Sequence, residues 1–149
     1  MTSDFDELET MIMADARKVY SEAVIDHATN PRNVGNLADA DGFGHVKGPC
    51  GDTIEMWLKV RDDIIANATF WTDGCGPSIA CGSMVTEIAR GKKIAEARNI
   101  SQADVMEALD GLPEDHRHCA LLAANTLKEA VNDYVTLKKE PWKKGYRNR

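Results

Sequence analysis

The sequence predicts an α+β fold, in which a small antiparallel sheet carries helices on one of its faces. Three observations lead there. Two adjacent segments in the middle of the chain alternate apolar and polar residues with period two. A glycine-rich loop with room for one short strand precedes them, and the strongest period-3.6 stripes follow.

In chain order, the first helix is predicted from about Asp15 to Ala28, with Val19, Tyr20, Ala23 and Val24 among its apolar positions. Asn30-Pro31 stops it, because proline restricts the residue before it and cannot extend the hydrogen-bond ladder. Asn33 to Gly48 carries Gly35, Gly42, Gly44 and Gly48 and reads as loop plus one short strand. Ile54–Val60 puts Ile54, Met56, Leu58 and Val60 on one face. Ile64–Trp71 alternates likewise, and Arg61-Asp62-Asp63 is a polar hairpin connection between the two. Ser78 to Arg90 lines up Cys81, Met84, Val85 and Ile88 as a helical stripe that Gly91 ends. Ser101 starts a short helix toward Leu109, closed by Gly111-Leu112-Pro113. The last helix has the clearest stripe, from Ala120 through Leu127 and Val131 to Val135.

With 149 residues and 16.4 kDa the chain has room for one domain. Its 43% hydrophobic and 28% charged residues exclude a wholly disordered chain. A net charge of −6 opposes general nucleic-acid binding, since a phosphate backbone selects a basic surface. No apolar run suits a membrane span. The start, Met1-Thr2-Ser3-Asp4-Phe5-Asp6-Glu7, is acidic where export and organelle signals are basic, so a cytoplasmic location is expected. Residues 1–15 are read as an N-terminal extension, 16–137 as the folded domain and 138–149 as a basic tail. The tail has six Lys/Arg and one Glu, the pattern of a solvated end or of a docking strip for an acidic partner.

Four cysteines, Cys50, Cys75, Cys81 and Cys119, carry the chemistry. In a reducing compartment they bind metal, react or fill the core rather than form disulfides. Zinc-finger spacings are missing, as is the zinc deaminase signature. Cys50 ends a glycine-rich loop before a strand, Cys75 in Gly74-Cys75-Gly76-Pro77 precedes a helix, and Cys119 opens another. A helix N-terminus favours thiolate, the form that ligates iron and attacks persulfide sulfur. Helices on the same side of the sheet would let Cys75 and Cys119 meet Cys50 at one end. Three cysteines leave one position of a four-ligand [2Fe–2S] site to something weaker, either Asp52 or His118. Such a ligand would make the cluster easier to release. Cys81 lies on the stripe with Val85 and Ile88 and is expected to be core filler. His27 and His45 are expected at surface or packing positions, and the role of His116 is open. A persulfide carrier holding zinc, or a zinc hydrolase with Asp52 or His118 as base, would use the same residues.

At these residues the chain resembles the IscU/NifU-type iron–sulfur cluster scaffold family. The resemblance runs from about Val19 to Tyr134 through Tyr20-Ser21, Asp26-His27, Asn30-Pro31-Arg32-Asn33-Val34-Gly35 and Cys50-Gly51-Asp52. It continues with Gly74-Cys75-Gly76, Thr86-Glu87, Leu112-Pro113 and His118-Cys119. It implies a three-stranded antiparallel sheet with helices on one face (IscU/SufE-like). It also implies a scaffold, not an enzyme, that assembles a transient [2Fe–2S] cluster and passes it to apo-proteins. A pyridoxal-phosphate cysteine desulfurase (IscS/NifS-like) would deliver the sulfur, and a ferredoxin the electrons. Cys50, Cys75 and Cys119 match the family's ligand cysteines, Asp52 the aspartate that keeps the cluster labile, and His118 the histidine beside the last cysteine. Zinc suits the cluster-free site, since thiolate, imidazole and carboxylate are all zinc ligands. Where the family offers an Hsp70 chaperone a Leu-Pro-Pro-Val-Lys-type stretch, Leu112-Pro113-Glu114-Asp115-His116 stands here, which puts chaperone use in doubt. The 43 residues between Cys75 and Cys119 leave no room for the insertion of the zinc-dependent SufU branch.

Overall fold

A computed structural model describes residues 11, 14–49 and 51–146. The order of elements is α1 (Glu22–Thr29), β1 (Gly42–Lys47), β2 (Thr53–Arg61), β3 (Ile64–Thr72), α2 (Gly76–Ala89), α3 (Ile94–Arg98), α4 (Gln102–Ala108) and α5 (Arg117–Lys139). The strands form one antiparallel sheet in the order β1-β2-β3. This is the predicted α+β architecture.

The central strand β2 buries Ile54, Met56 and Leu58 completely beneath the helices. Helix α5 covers β1 and β2, and α2 covers β3. On the opposite face a smaller cluster of Leu37, Ala40, Phe43 and Trp57 forms, with the Phe43 and Trp57 rings 5.4 Å apart. The glycines of β1 are there for α5. A Cβ on Gly42 would lie 2.4 Å from the Ala130 carbonyl oxygen, and one on Gly44 2.4 Å from that of Thr126. The helix therefore rests on bare strand backbone.

Arg61 pairs with Ile64 across a two-residue turn in which Asp62 and Asp63 have φ of 56° and 60°. That is the primed turn a twisted hairpin favours. The Asp63 carboxylate accepts hydrogen bonds from the Tyr134 hydroxyl (2.7 Å) and Lys138 Nζ (2.8 Å), tying the hairpin to α5. Together these bonds hold Asp63 below the usual carboxylate range, Lys138 contributing most. Lys138 and Lys139, assigned to the tail from sequence, are thus the last turn of α5.

Two elements differ from expectation. The chain breaks at Arg17–Tyr20 and α1 restarts at Glu22, instead of running on from Asp15. Ser21 causes the restart. Its extended backbone (ψ 160°) caps α1, its hydroxyl oxygen accepting from Val24 N–H, while the hydroxyl donates to the Leu109 carbonyl. Helix α3, absent from the sequence reading, has five residues, too few to show a period, and hangs from the hairpin by Ile94 N–H to the Asp63 carbonyl (2.9 Å).

The stretch Asn30–Gly35 locks α1, α2 and β3 together. Asn33, at φ 61°, donates through Nδ2 to Thr86 Oγ1 (3.1 Å) and Glu87 Oε1 (3.2 Å), and its Oδ1 accepts from Arg90 (3.0 Å). Its carbonyl accepts from Phe70 N–H, and Gly35 N–H donates to the Phe70 carbonyl, so the segment covers the outer edge of β3. Buried Ser83 on α2 takes the Arg32 N–H (2.9 Å) and lies 2.7 Å from His27 Nδ1.

Two outcomes test this packing. Gly44→Ala drives a Cβ into the α5 backbone and should cost about 2–3 kcal/mol, read as a urea midpoint lowered by roughly 1 M. Burial pushes the His27 imidazole below its ordinary 6.5. A group whose folded pKa is lowered in this way, neutral in the fold, binds protons more readily when unfolded. Its contribution is complete above the unfolded value and fades as pH falls below about 6.5. Urea midpoints measured near pH 7.5 and 5.5 should therefore fall more in the wild type than in His27→Gln.

Candidate functional site

The β1–β2 connection is a tight turn. Gly48 N–H donates to the Asp52 carbonyl (2.7 Å) and Gly51 N–H to the Gly48 carbonyl (3.0 Å), with Gly51 at φ 89°. Asp52 sits in this turn, one residue before β2. Cys50 lies outside the described residues.

The β3–α2 connection is built against that turn. Thr53 N–H donates to Asp73 Oδ1 (2.8 Å), and the Thr72 hydroxyl to the Thr53 carbonyl (2.7 Å). Gly74 follows because nothing larger fits: its Cβ would lie 2.6 Å from the Ser78 side chain and 3.0 Å from Asp52 Oδ2. Cys75 is then the N-cap of α2, exposed, its extended backbone (ψ −175°) leading into Gly76-Pro77. Pro77 needs no hydrogen-bond donor in a first turn.

The third wall is the start of α5, which presents His118 and Cys119 in its first turn. Cys119 is buried, and its Sγ lies 3.7 Å from His118 Nε2. A donor atom of Asp52, one of His118 and the Cys119 sulfur all lie within 4.8 Å of one another. Three of the predicted site residues therefore converge, one carboxylate, one imidazole and one thiol. Cys75 is not in that group of three, and precedes Ser78 by three residues on the same helix start.

Ser78 is the residue the sequence reading missed. It is fully buried, and its hydroxyl lies 3.0 Å from Asp52 Oδ2 and 3.5 Å from Cys119 Sγ. Its place three residues after Cys75 was the only signal, and serine in a first helical turn is too common to stand out. The other histidines are accounted for separately. His27 is in the core contact with Ser83, His45 meets Glu55 on the open sheet face (3.1 Å), and His116 lies between the rings of Tyr20 and His118. Cys81 is wholly inside the main core, where burial, with Cys119 and Cys75 nearby, pushes its thiol far up.

The chain matches the NifU-like N-terminal domain family over residues 19–141. It belongs to that family. Among its relatives, iron–sulfur cluster assembly scaffold protein IscU 1 of Archaeoglobus fulgidus is 50% identical over 117 residues, 78% of this chain and 76% of that one. The protein named IscU in Escherichia coli K12 is 47% identical over 120 residues, covering 77% and 93% of the two chains. In fold, the crystal structure of a NifU-like N-terminal protein from Brucella abortus superposes with a TM-score of 0.65 at 20% identity, over 79% of this chain and 95% of that one. Among the described residues of this NifU-like chain, no helix is long and apolar enough to cross a membrane.

The burial contrast predicts the order of thiol labelling. Cys75 should react with iodoacetamide in the native protein, and Cys81 at least about a hundredfold more slowly, until denaturant exposes it. Peptide mass mapping reads both.

Proposed function

We propose that this chain is a scaffold on which iron and sulfur are assembled into a [2Fe–2S] cluster that is then passed to apo-proteins. The observation that carries the reading is the gathering of Asp52, His118 and Cys119 within 4.8 Å, in a chain whose relatives are named as such scaffolds. The cluster is cargo. Each tetrahedral iron holds two bridging sulfides and takes two protein ligands, so four are needed. Cys50, Cys75 and Cys119 supply three, and Asp52 or His118 the fourth.

A cysteine desulfurase of the pyridoxal-phosphate type supplies sulfur as a persulfide. A thiolate of the scaffold attacks the outer sulfur, the sulfur–sulfur bond of the donor breaks, and the donor leaves as thiolate. That sulfur reaches the sulfide state by taking up two electrons, which a ferredoxin provides. Iron binds thiolate, carboxylate and imidazole alike. The weaker oxygen or nitrogen donor opens first when an acceptor's thiolates compete. Three thiolates at a mixed site call for a reducing compartment, which supports a cytoplasmic setting. Between cargoes the same donors suit zinc.

The test is anaerobic reconstitution with ferrous iron, cysteine and a cysteine desulfurase, followed by visible absorption and by iron and acid-labile sulfide counts. A cluster that forms and moves to an apo-ferredoxin is expected. Tightly held zinc and persulfide without a cluster would replace assembly with sulfur relay. Asp52→Ala should keep its cluster longer, with transfer slowed about tenfold, and unchanged transfer would remove Asp52 from the labile position. Cys50→Ser, Cys75→Ser and Cys119→Ser should each weaken retention of iron and sulfide.

A further inference from the structure

We infer that Ser78 is a positioning residue of this site, which holds the Asp52 carboxylate beside Cys119 so that a hard oxygen donor and a soft sulfur donor face one metal ion together. The inference rests on the scaffold reading and deepens it.

Ser78 is completely buried, yet a hydroxyl in that position has no solvent to satisfy it. Among the described residues, two groups are within reach, Asp52 Oδ2 at 3.0 Å and Cys119 Sγ at 3.5 Å. The hydroxyl has one proton to give. A bond to an ionised carboxylate is the stronger choice, being charge-assisted. It also fixes the Asp52 side chain, which is carried by the turn beside Gly51, at φ 89°. Gly74 reinforces the arrangement. Any side chain there would enter the space where Ser78 and Asp52 meet, its Cβ lying 2.6 Å from the Ser78 hydroxyl oxygen.

The serine is carried by α2, the aspartate by the β1–β2 turn and the cysteine by α5. One hydroxyl thus joins three separate segments at the point where the donors converge. Groups of this kind, which hydrogen-bond a ligating carboxylate, commonly change metal affinity by about ten- to a hundredfold when removed. Ser78 touches the ligands, so its effect passes through Asp52.

The experiment is titration of the full-length, metal-stripped protein with Co²⁺ and, separately, Cd²⁺, in wild type, Ser78→Ala, Asp52→Ala and the double variant. Cobalt uses oxygen and sulfur donors together, whereas cadmium is softer and is held mainly by thiolates. Ser78→Ala should weaken Co²⁺ about tenfold and Cd²⁺ less than about twofold. In the Asp52→Ala background the serine change should shift Co²⁺ by less than about twofold. Equal losses for both ions, an undiminished loss without Asp52, or no loss at all would overturn the inference. None of these titrations involves the desulfurase. A scaffold that builds clusters while Ser78 proves irrelevant rejects the serine alone, and the expected cobalt pattern without cluster assembly rejects the scaffold alone.

Discussion

The candidate site depends on α5 lying directly on the backbone of β1. A helix of 23 residues is about 34 Å long, and a small angular error at one end becomes a displacement of several ångströms at the other. Gly42 and Gly44 bring the helix close enough for the Ala130 and Thr126 carbonyls to rest against bare strand. Asp63 holds Tyr134 and Lys138 at the far end. With middle and end both set, the first turn of α5 has one place to go, and Cys119 arrives beside the β1–β2 turn. The chemistry at one end of the sheet is thus positioned by contacts at the middle and the other end.

The remaining walls are joined by hydrogen bonds to the backbone. Gly48 and Gly51 close the turn that carries Asp52, while Thr53, Thr72 and Asp73 join it to the segment leading into Cys75. Short polar links of this type fix position without filling volume. Further back, Asn33 and Ser83 clamp α1, α2 and the edge of β3.

Much of this could be read from the residues. Alternation in Ile54–Val60 and Ile64–Trp71 located the central strands because each has one covered face, and period two survives where burial is one-sided. The stripe of α5 was legible for the same reason at period 3.6. The glycine–cysteine junctions and the polar residues beside them pointed to Asp52, His118 and Cys119, which meet. What was not legible depends on distant partners. Ser21 breaks the first helix because Leu109, 88 residues away, offers a carbonyl to its hydroxyl. Ser78 matters because two other segments bring an acid and a thiol to it. Neither residue is unusual in its own sequence window, and no local pattern distinguishes a serine that caps or clamps from one that faces water.

The thiols show how one residue type is divided between structure and chemistry. Cys81 is sealed among Val85, Phe70 and neighbouring core residues, where the charged form is strongly disfavoured and a persulfide donor has no approach. Cys75 stands exposed at a helix N-terminus, beside glycines that leave its approach clear. Cys119 is between these extremes, buried yet backed by Ser78 and His118, so that polar contacts accompany its burial. A scaffold needs this separation. A sulfur donor reacts with thiolates it can reach, and a core cysteine that reacted would take both the sulfur and the packing out of use. Burial without a polar neighbour keeps Cys81 out of that exchange.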